Sequence, residues 1–323
     1  MFLKNRFYYY QDCMEKNSFF DQYDLKQIED LDLFAKQVVE GFIIGLHKSP
    51  FHGFSVEFSE HRLFNQGESP RNIDWKVFAR TEKMFSKKFE EETNLRCQIV
   101  MDVSSSMYFP MENNEDGKIN KLRFAALAGA SLMNLLKRQR DAFGLSLFSD
   151  EVQVHTRAKS SMAHYHLMLS FLDKLVKDPG LNRKTAVSQA IHQIADAIHR
   201  RSLVIIFTDM VDSQDNLEKL FSAMLHLKHS KHEVLLFYVF DKHFEMDFEY
   251  ENRPIQFVDM ETGEKIKLQS NELKQHYVQQ KQRIFTDIRS RCLQYNIDFV
   301  PTDISQGFVP MLQAYLAKRN KML

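Results

Sequence analysis

From Cys97 to the end of the chain, short apolar runs alternate with longer stretches whose apolar residues recur at helical spacing. The short runs predict strands buried on both faces, and the longer stretches predict amphipathic helices. This alternation is typical of a doubly wound α/β fold, in which right-handed crossovers connect a mostly parallel sheet. Strands are predicted at 97–102, 143–148, 203–207, 234–240 and 298–300, and helices at 119–138, 162–176, 187–199, 216–228, 272–295 and 309–318.

Two segments of this region depart from the alternation. Residues 151–155 predict an edge strand, and residues 254–268 predict an inserted β-hairpin. Further upstream, residues 31–44 predict one helix, and residues 84–92 predict an edge strand or an extended linker. The predicted units are an N-terminal extension (1–28), an N-terminal α+β segment (29–92) and a large α/β domain (93–323).

The charge of the chain is balanced, with 43 Lys and Arg residues against 43 Asp and Glu residues. A net charge of zero gives no overall field that would favour nucleic acid or an anionic membrane. No stretch approaches the roughly 20 apolar residues of a membrane-spanning helix. The three cysteines, Cys13, Cys97 and Cys292, are far apart, which favours neither a disulfide framework nor a zinc site. We expect a soluble protein of the cytoplasm.

A carboxylate and two hydroxyls follow the first strand of the large domain. Asp102 ends the apolar run, and Ser104 and Ser106 stand at alternate positions after it. In open α/β sheets, ligands bind beyond the carboxyl ends of the strands. Asp-x-Ser-x-Ser at this place therefore predicts a site for a hard cation such as Mg²⁺, which takes oxygen ligands. The alternative is a polar loop whose serines cap backbone amides.

Thr185 and Asp209 extend this set from two later loops. Asp209 follows a buried strand, as Asp102 does, so their two charges repel if the strands are neighbours, unless a cation lies between them. The hydroxyl of Thr185 either caps the helix that follows it or binds the cation. Two carboxylates and three hydroxyls neutralise a divalent ion but leave a coordination position for a partner's carboxylate. Mg²⁺ and Mn²⁺ both favour such oxygen ligands.

The segment from Lys48 to Arg80 combines charged residues with aromatic residues and the single tryptophan, Trp75. Arg62, Arg71, Asp74 and Arg80 are interleaved there with aromatic and apolar residues. The segment is either a docking or anion-binding surface or a set of ion pairs that clamp it onto the neighbouring domain.

Both regions resemble known families. Asp102-x-Ser104-x-Ser106, with Thr185 and Asp209, resembles the metal-ion-dependent adhesion site of von Willebrand factor type A domains. The N-terminal segment resembles the signature of the bacterial family called domain of unknown function 58, and this match is more specific than the short metal motif. It is carried by His52-Gly53, Glu57-Phe58, Arg62, Gly67-Glu68, Arg71-x-Ile73-Asp74-Trp75-Lys76 and Ala79-Arg80.

The resemblance implies a von Willebrand factor A-like, Rossmann-type domain with a non-enzymatic function. The family is typically linked to MoxR-type AAA+ ATPases, so the implied role is that of an adaptor for such an ATPase in the assembly or maturation of protein complexes. A client protein would supply an acidic residue to a bound Mg²⁺ or Mn²⁺. By motif, Ser104, Ser106 and Thr185 would bind the metal directly, and Asp102 and Asp209 directly or through water.

Two other functions stay open. A nucleic-acid-binding type A-like protein would need a basic face, for which Arg62, Arg71, Lys76 and Arg80 are the candidates. A Mg²⁺-dependent phosphohydrolase with an aspartyl nucleophile at Asp102 would need a second carboxylate two residues on, where this chain has Ser104. A serine hydrolase would need a Gly-x-Ser-x-Gly motif, which the chain lacks. We therefore expect no catalytic residues.

Overall fold

Strands and helices alternate along most of the described chain. The computed structural model describes residues 30–48, 61–63, 79–80, 85–87, 95–110, 119–177, 187–209, 214–250, 254–258 and 265–322. The strands are β1 (His61–Leu63), β2 (Phe85–Lys87), β3 (Arg96–Asp102), β4 (Ala142–Phe148), β5 (Val152–His155), β6 (Leu203–Thr208), β7 (Glu233–Phe240), β8 (Pro254–Val258), β9 (Lys265–Gln269) and β10 (Asp298–Asp303). The helices are α1 (Leu31–Lys48), α2 (Lys121–Arg138), α3 (Met162–Lys177), α4 (Val187–Ala197), α5 (Gln214–His229), α6 (Ser270–Gln294) and α7 (Val309–Met322).

Six of the strands form one sheet in the order β10-β7-β6-β3-β4-β5. All neighbours in this sheet are parallel except the edge strand β5, which is antiparallel to β4. Counted along the chain, this is the strand order 3-2-1-4-5-6 of doubly wound dinucleotide-binding folds, read from the opposite edge. The predicted fold class, a doubly wound and mostly parallel sheet of the Rossmann type, is confirmed.

The central strands are apolar on both faces because helices cover both sides of the sheet. Two hydrophobic cores result. In β3, Ile99 and Met101 belong to the first core, whereas Val100 belongs to the second. The first core contains buried residues of α1, α2, α3 and α7, and the second contains buried residues of α4, α5 and α6. At Gly129 on α2, an added Cβ would lie 3.1 Å from Met101 Cε, so the glycine lets this helix approach the sheet closely.

Helix α1 packs into the first core, although it precedes the predicted α/β domain in the chain. The ring of Phe34 meets Phe308 edge to face, with 5.4 Å between the centroids. The hydroxyl of Tyr165 on α3 donates to Asp32 Oδ1 over 2.7 Å. The residues of α1 thus share one hydrophobic core with the large domain.

Two small antiparallel sheets stand beside the main one. Strands β8 and β9 form the predicted hairpin, whose turn lies outside the described residues. Strand β2 lies inside the segment predicted as an edge strand or linker. It pairs with β1, a strand that was not predicted from the sequence. The predicted extension 1–28 and most of the segment 29–92 lie outside the described residues, so the division into units stays a prediction.

Within the described part of the chain, no helix is both long enough and apolar enough to cross a membrane.

Candidate metal centre

The candidate site lies at the carboxyl end of the sheet, between β3 and β6. These strands are parallel neighbours, and Met101 stands opposite Phe207. They are the first and fourth strands of the sheet along the chain, so the direction of winding reverses between them. Open α/β sheets leave a ligand-binding crevice at such a switch point. Asp102 is the last residue of β3, and Asp209 directly follows β6.

The loop after β3 brings two serine hydroxyls close to Asp209. It begins with a hydrogen bond from Val103 N to the carbonyl oxygen of Phe148 on β4 (2.8 Å) and continues as a short 3-10 turn. The hydroxyl oxygens of Ser104 and Ser106 lie 3.1 Å apart. Ser106 Oγ donates to Asp209 Oδ1 over 3.2 Å. Oxygen atoms from two strand ends therefore converge at one place.

Asp102 is fully buried, and both of its carboxylate oxygens accept hydrogen bonds. Oδ1 accepts from Ser104 N (3.0 Å), and Oδ2 accepts from the hydroxyl of Thr208 (2.7 Å). Burial and the nearby charge of Asp209 raise the pKa of Asp102 from 3.8 to about 7, although the hydrogen bonds from Ser104 and Thr208 act to lower it. The site thus holds a carboxyl group whose ionisation is disfavoured by burial and by the neighbouring Asp209.

Of the five predicted ligands, the structure places Asp102, Ser104, Ser106 and Asp209 together. Thr185 lies outside the described residues, so its place in the set stays a prediction. That these residues bind a metal is likewise a prediction from the sequence.

Two further charged residues, Lys121 and Glu245, belong to the site but were not predicted. Lys121 is the first residue of α2 and is 1% exposed. Its ammonium donates to Asp209 Oδ2 over 2.8 Å and to Glu245 Oε1 over 2.7 Å. Burial lowers the pKa of Lys121, but the charges of Asp209 and Glu245 outweigh this effect and raise it overall, so the ammonium is charged.

Glu245 is held by the segment that follows β7. This segment forms a π-helical turn, Lys242–Met246, capped by Asp241 Oδ1, which accepts from Phe244 N over 3.0 Å. The second oxygen of Glu245 accepts from Asp241 N over 2.7 Å. The ring of Phe244 meets Phe109 edge to face, with 6.0 Å between the centroids. Phe109 belongs to the loop after β3, residues 103–109, which we call the serine loop. Lys121 therefore connects the ends of β6 and β7.

One signal in the sequence pointed to Lys121. A lysine in the first turn of a helix faces the positive end of the helix dipole, which disfavours a cation unless a nearby anion compensates it. The predicted start of this helix at residue 119 placed Lys121 in that first turn. For Glu245 no comparable signal exists, because its role depends on a turn that no periodicity predicts.

The donor set fits a hard divalent cation. The converging atoms are carboxylate and hydroxyl oxygens, which Mg²⁺ and Mn²⁺ prefer. Burial and repulsion from Asp209 raise the pKa of Asp102, and a cation between the two carboxylates would relieve the repulsion. Among the described residues, no group of three or more His, Cys, Asp or Glu side chains is placed to hold a metal, so the serine hydroxyls are needed to complete this set.

The fold and the site define a doubly wound α/β domain in which carboxylate and hydroxyl oxygens converge at the switch point. Residues 60–284 match the family described as protein of unknown function DUF58. The chain belongs to this family, which confirms the family predicted from the N-terminal signature.

Several relatives match this chain in sequence over about two thirds of its length. Uncharacterised proteins of Mycobacterium tuberculosis and Mycobacterium bovis are 26% identical over 215 residues, which cover 66% of this chain and 64% of each relative. The chain therefore spans slightly less than two thirds of the length of these relatives.

Three solved structures match part of the chain. The conserved hypothetical protein BatB from Bacteroides thetaiotaomicron has a TM-score of 0.42 at 16% identity, covering 69% of this chain and 99% of its own. An aerotolerance-related membrane protein from Bacteroides fragilis has a TM-score of 0.46 at 18% identity, with coverages of 70% and 99%. A von Willebrand factor type A protein from Catenulispora acidiphila has a TM-score of 0.31 at 12% identity, with coverages of 46% and 34%.

Proposed function

We propose that this chain is a non-enzymatic, metal-ion-dependent protein–protein interaction module. The observation that carries the proposal is the convergence of Asp102, Ser104, Ser106 and Asp209 at the switch point of the sheet. These side chains offer oxygen ligands to a hard cation. An aspartyl-nucleophile phosphatase is less well supported, because the position two residues after Asp102 carries Ser104 rather than the carboxylate that such chemistry needs.

The residues of this chain hold and orient the ligand oxygens. When bound, Mg²⁺ or Mn²⁺ would supply a coordination position that accepts a carboxylate from a partner. Ser104 and Ser106 present hydroxyls from a short loop, and Asp102 and Asp209 present carboxyl oxygens from the ends of two neighbouring strands. Because Ser104 N and Thr208 Oγ1 fix the Asp102 carboxylate, the site is preorganised and its geometry depends little on the partner.

The proposed partners are a MoxR-type AAA+ ATPase and a client protein that supplies an acidic residue. In this role the chain would act as an adaptor in the assembly or maturation of a protein complex. The ATPase link rests on the family resemblance, and a cytoplasmic location rests on the isolated cysteines of the sequence.

A pull-down from the native host tests the proposal. Wild-type protein and the double variant Asp102→Ala/Ser104→Ala are each used as bait, with Mg²⁺ and with EDTA. We expect an AAA+ ATPase or a client to be retained by wild-type protein with Mg²⁺, and to be lost with EDTA or in the variant. Identical partners in all four samples would contradict a metal-dependent recognition surface.

The chain offers a matched control for this variant. Asp303 ends β10, another parallel strand of the sheet, and its carboxylate accepts hydrogen bonds from Ser305 N (3.0 Å) and Ser305 Oγ (2.7 Å). Asp303 and Ser305 thus repeat the Asp-x-Ser pattern away from the switch point. The variant Asp303→Ala/Ser305→Ala should retain the same partners as wild-type protein. If both double variants lost the partners, the cause would be damage to the sheet rather than loss of the metal ligands.

A further inference from the structure

The two carboxylate oxygens of Asp209 accept hydrogen bonds from different donors, and one of these donors is Lys121. Oδ2 accepts from the Lys121 ammonium at 2.8 Å, and Oδ1 accepts from Ser106 Oγ at 3.2 Å. A cation in the candidate site thus has one oxygen of this carboxylate within its reach, because the ammonium engages the other. The side chain of Lys121 is 2% exposed, so water screens this interaction weakly.

A purely structural ion pair is a weak explanation for this lysine. Burying an ammonium at the first residue of a helix costs desolvation energy and opposes the helix dipole. Apolar side chains of similar volume commonly give equal or greater stability at such positions. The ammonium also lies against two carboxylates from different elements, and Asp209 is one of the predicted metal ligands.

We propose that Lys121 is a positioning residue that competes with the metal for Asp209 and thereby keeps the affinity of the site for divalent cations low. The inference rests on the proposed metal site and deepens it. A cation whose charge is only partly neutralised by protein ligands still attracts the carboxylate of a partner. Lys121 therefore sets how strongly the bound metal depends on that partner.

Glu245 weakens the interaction between Lys121 and Asp209 and thereby favours metal binding. Its Oε1 accepts from the same ammonium at 2.7 Å, which draws part of the positive charge away from Asp209. Removal of the Glu245 charge should leave the ammonium bound to Asp209 alone. Loss of Lys121 and loss of the Glu245 charge are therefore expected to change metal affinity in opposite directions.

Calorimetric titration of the full chain with Mg²⁺ and with Mn²⁺ tests the inference. Lys121→Met should bind the metal about tenfold more tightly, the factor that corresponds to a charge interaction worth one pKa unit. Glu245→Gln should bind it several-fold more weakly. A merely structural role would loosen the site in both variants, and weaker binding in both would overturn the inference.

Two further variants keep the experiment decisive. Lys121→Met/Glu245→Gln preserves the total charge and, unlike Lys121→Met, leaves no charged Glu245 without its partner. It therefore tests the inference even if Lys121→Met does not fold. It should also bind more tightly than wild-type protein. Lys137→Met removes the same charge from the far end of α2, about 24 Å along the helix axis, and should leave the affinity unchanged.

The outcomes separate this inference from the proposed function. If wild-type protein binds the metal and neither variant lacking Lys121 binds it more tightly, the inference fails while the metal site stands. If only variants lacking Lys121 bind the metal, the inference stands and the proposed metal-dependent function of the wild-type protein fails. If none of the proteins binds Mg²⁺ or Mn²⁺, both fail.

Discussion

Thr208 is the residue through which β6 fixes the buried carboxylate of β3. Its hydroxyl donates to Asp102 Oδ2 over 2.7 Å inside the sheet. In the folded protein the pKa of Asp102 is raised to about 7 from 3.8, so the folded state binds this proton more tightly than the unfolded chain does. The contribution of Asp102 to stability is therefore greatest below about pH 4 and is lost as the pH rises toward 7. The Thr208 hydroxyl limits that loss, because it stabilises the ionised form.

Thr208→Val should destabilise the fold more at pH 8 than at pH 5. At pH 8 the variant removes a donor from a buried, charged acceptor, which costs about 1–3 kcal/mol in the free energy of unfolding. At pH 5 Asp102 is protonated, and the cost should be smaller. Urea unfolding with EDTA at both pH values measures the difference.

Thr286→Val is the matched control for this substitution. Thr286 is exposed on α6, and its hydroxyl donates to the carbonyl oxygen of Gln282. This variant should change the free energy of unfolding by less than about 0.5 kcal/mol at either pH. An equal loss for Thr208→Val at pH 5 and pH 8 would show that the hydroxyl does not favour the ionised carboxylate.

At the scale of elements, helix α2 determines where Lys121 lies. The helix begins after Asn120, whose side-chain oxygen accepts from Arg123 N over 2.7 Å and caps the first turn. The backbone N–H of Lys121 donates to the carbonyl oxygen of Phe109 over 3.1 Å, which ties the same turn to the serine loop. The cap and this contact together fix the start of the helix beside Asp209.

Asn120→Ala should lower the free energy of unfolding by about 1 kcal/mol, because it removes the N-cap acceptor. Asn120→Asp should retain the cap and add a favourable charge at the helix N-terminus, so its stability should be close to that of wild-type protein. Urea unfolding of the three proteins at pH 7 gives the comparison. If Asn120→Asp were as unstable as Asn120→Ala, the cap would not act through the side-chain oxygen.

The elements also show how much of the site the sequence could predict. Asp102 and Asp209 were predictable because each ends an apolar run, and a parallel sheet brings such ends to one edge. The contacts among Lys121, Asp209 and Glu245 were not, because they join residues 88 and 124 positions apart in the chain. The π-helical turn that carries Glu245 has no periodic pattern of its own. Local patterns thus predicted the strand ends but not the tertiary ion pairs that connect them.

At the scale of the whole molecule, the topology accounts for the position of the site. In the order 3-2-1-4-5-6 the direction of winding reverses between β3 and β6, and ligands of open α/β sheets bind at such a switch point. The alternation of strands and helices was sufficient to predict this fold class. It did not predict that α1 joins the first core, because a lone helical pattern does not indicate which surface covers its apolar face.

The same topology predicts that a bound metal stabilises the entire domain. The predicted ligands come from the ends of two central strands, so the proposed site exists only when the sheet is formed. A ligand that binds the folded state alone adds about 2.7 kcal/mol to the free energy of unfolding at 100 times its dissociation constant. For a domain of this size, we expect Mg²⁺ at that excess to raise the Tm by about 5–10 °C.

Thermal unfolding at constant ionic strength, with Mg²⁺ or with EDTA, measures this shift. The Tm of Asp102→Ala/Ser104→Ala should not respond to Mg²⁺, because two of the ligands are missing. Asp303→Ala/Ser305→Ala loses a similar carboxylate and hydroxyl from β10 and should respond like wild-type protein. An equal response in all three proteins would mean that Mg²⁺ acts on the general charge of the surface, and the strand ends at the switch point would then not hold the cation.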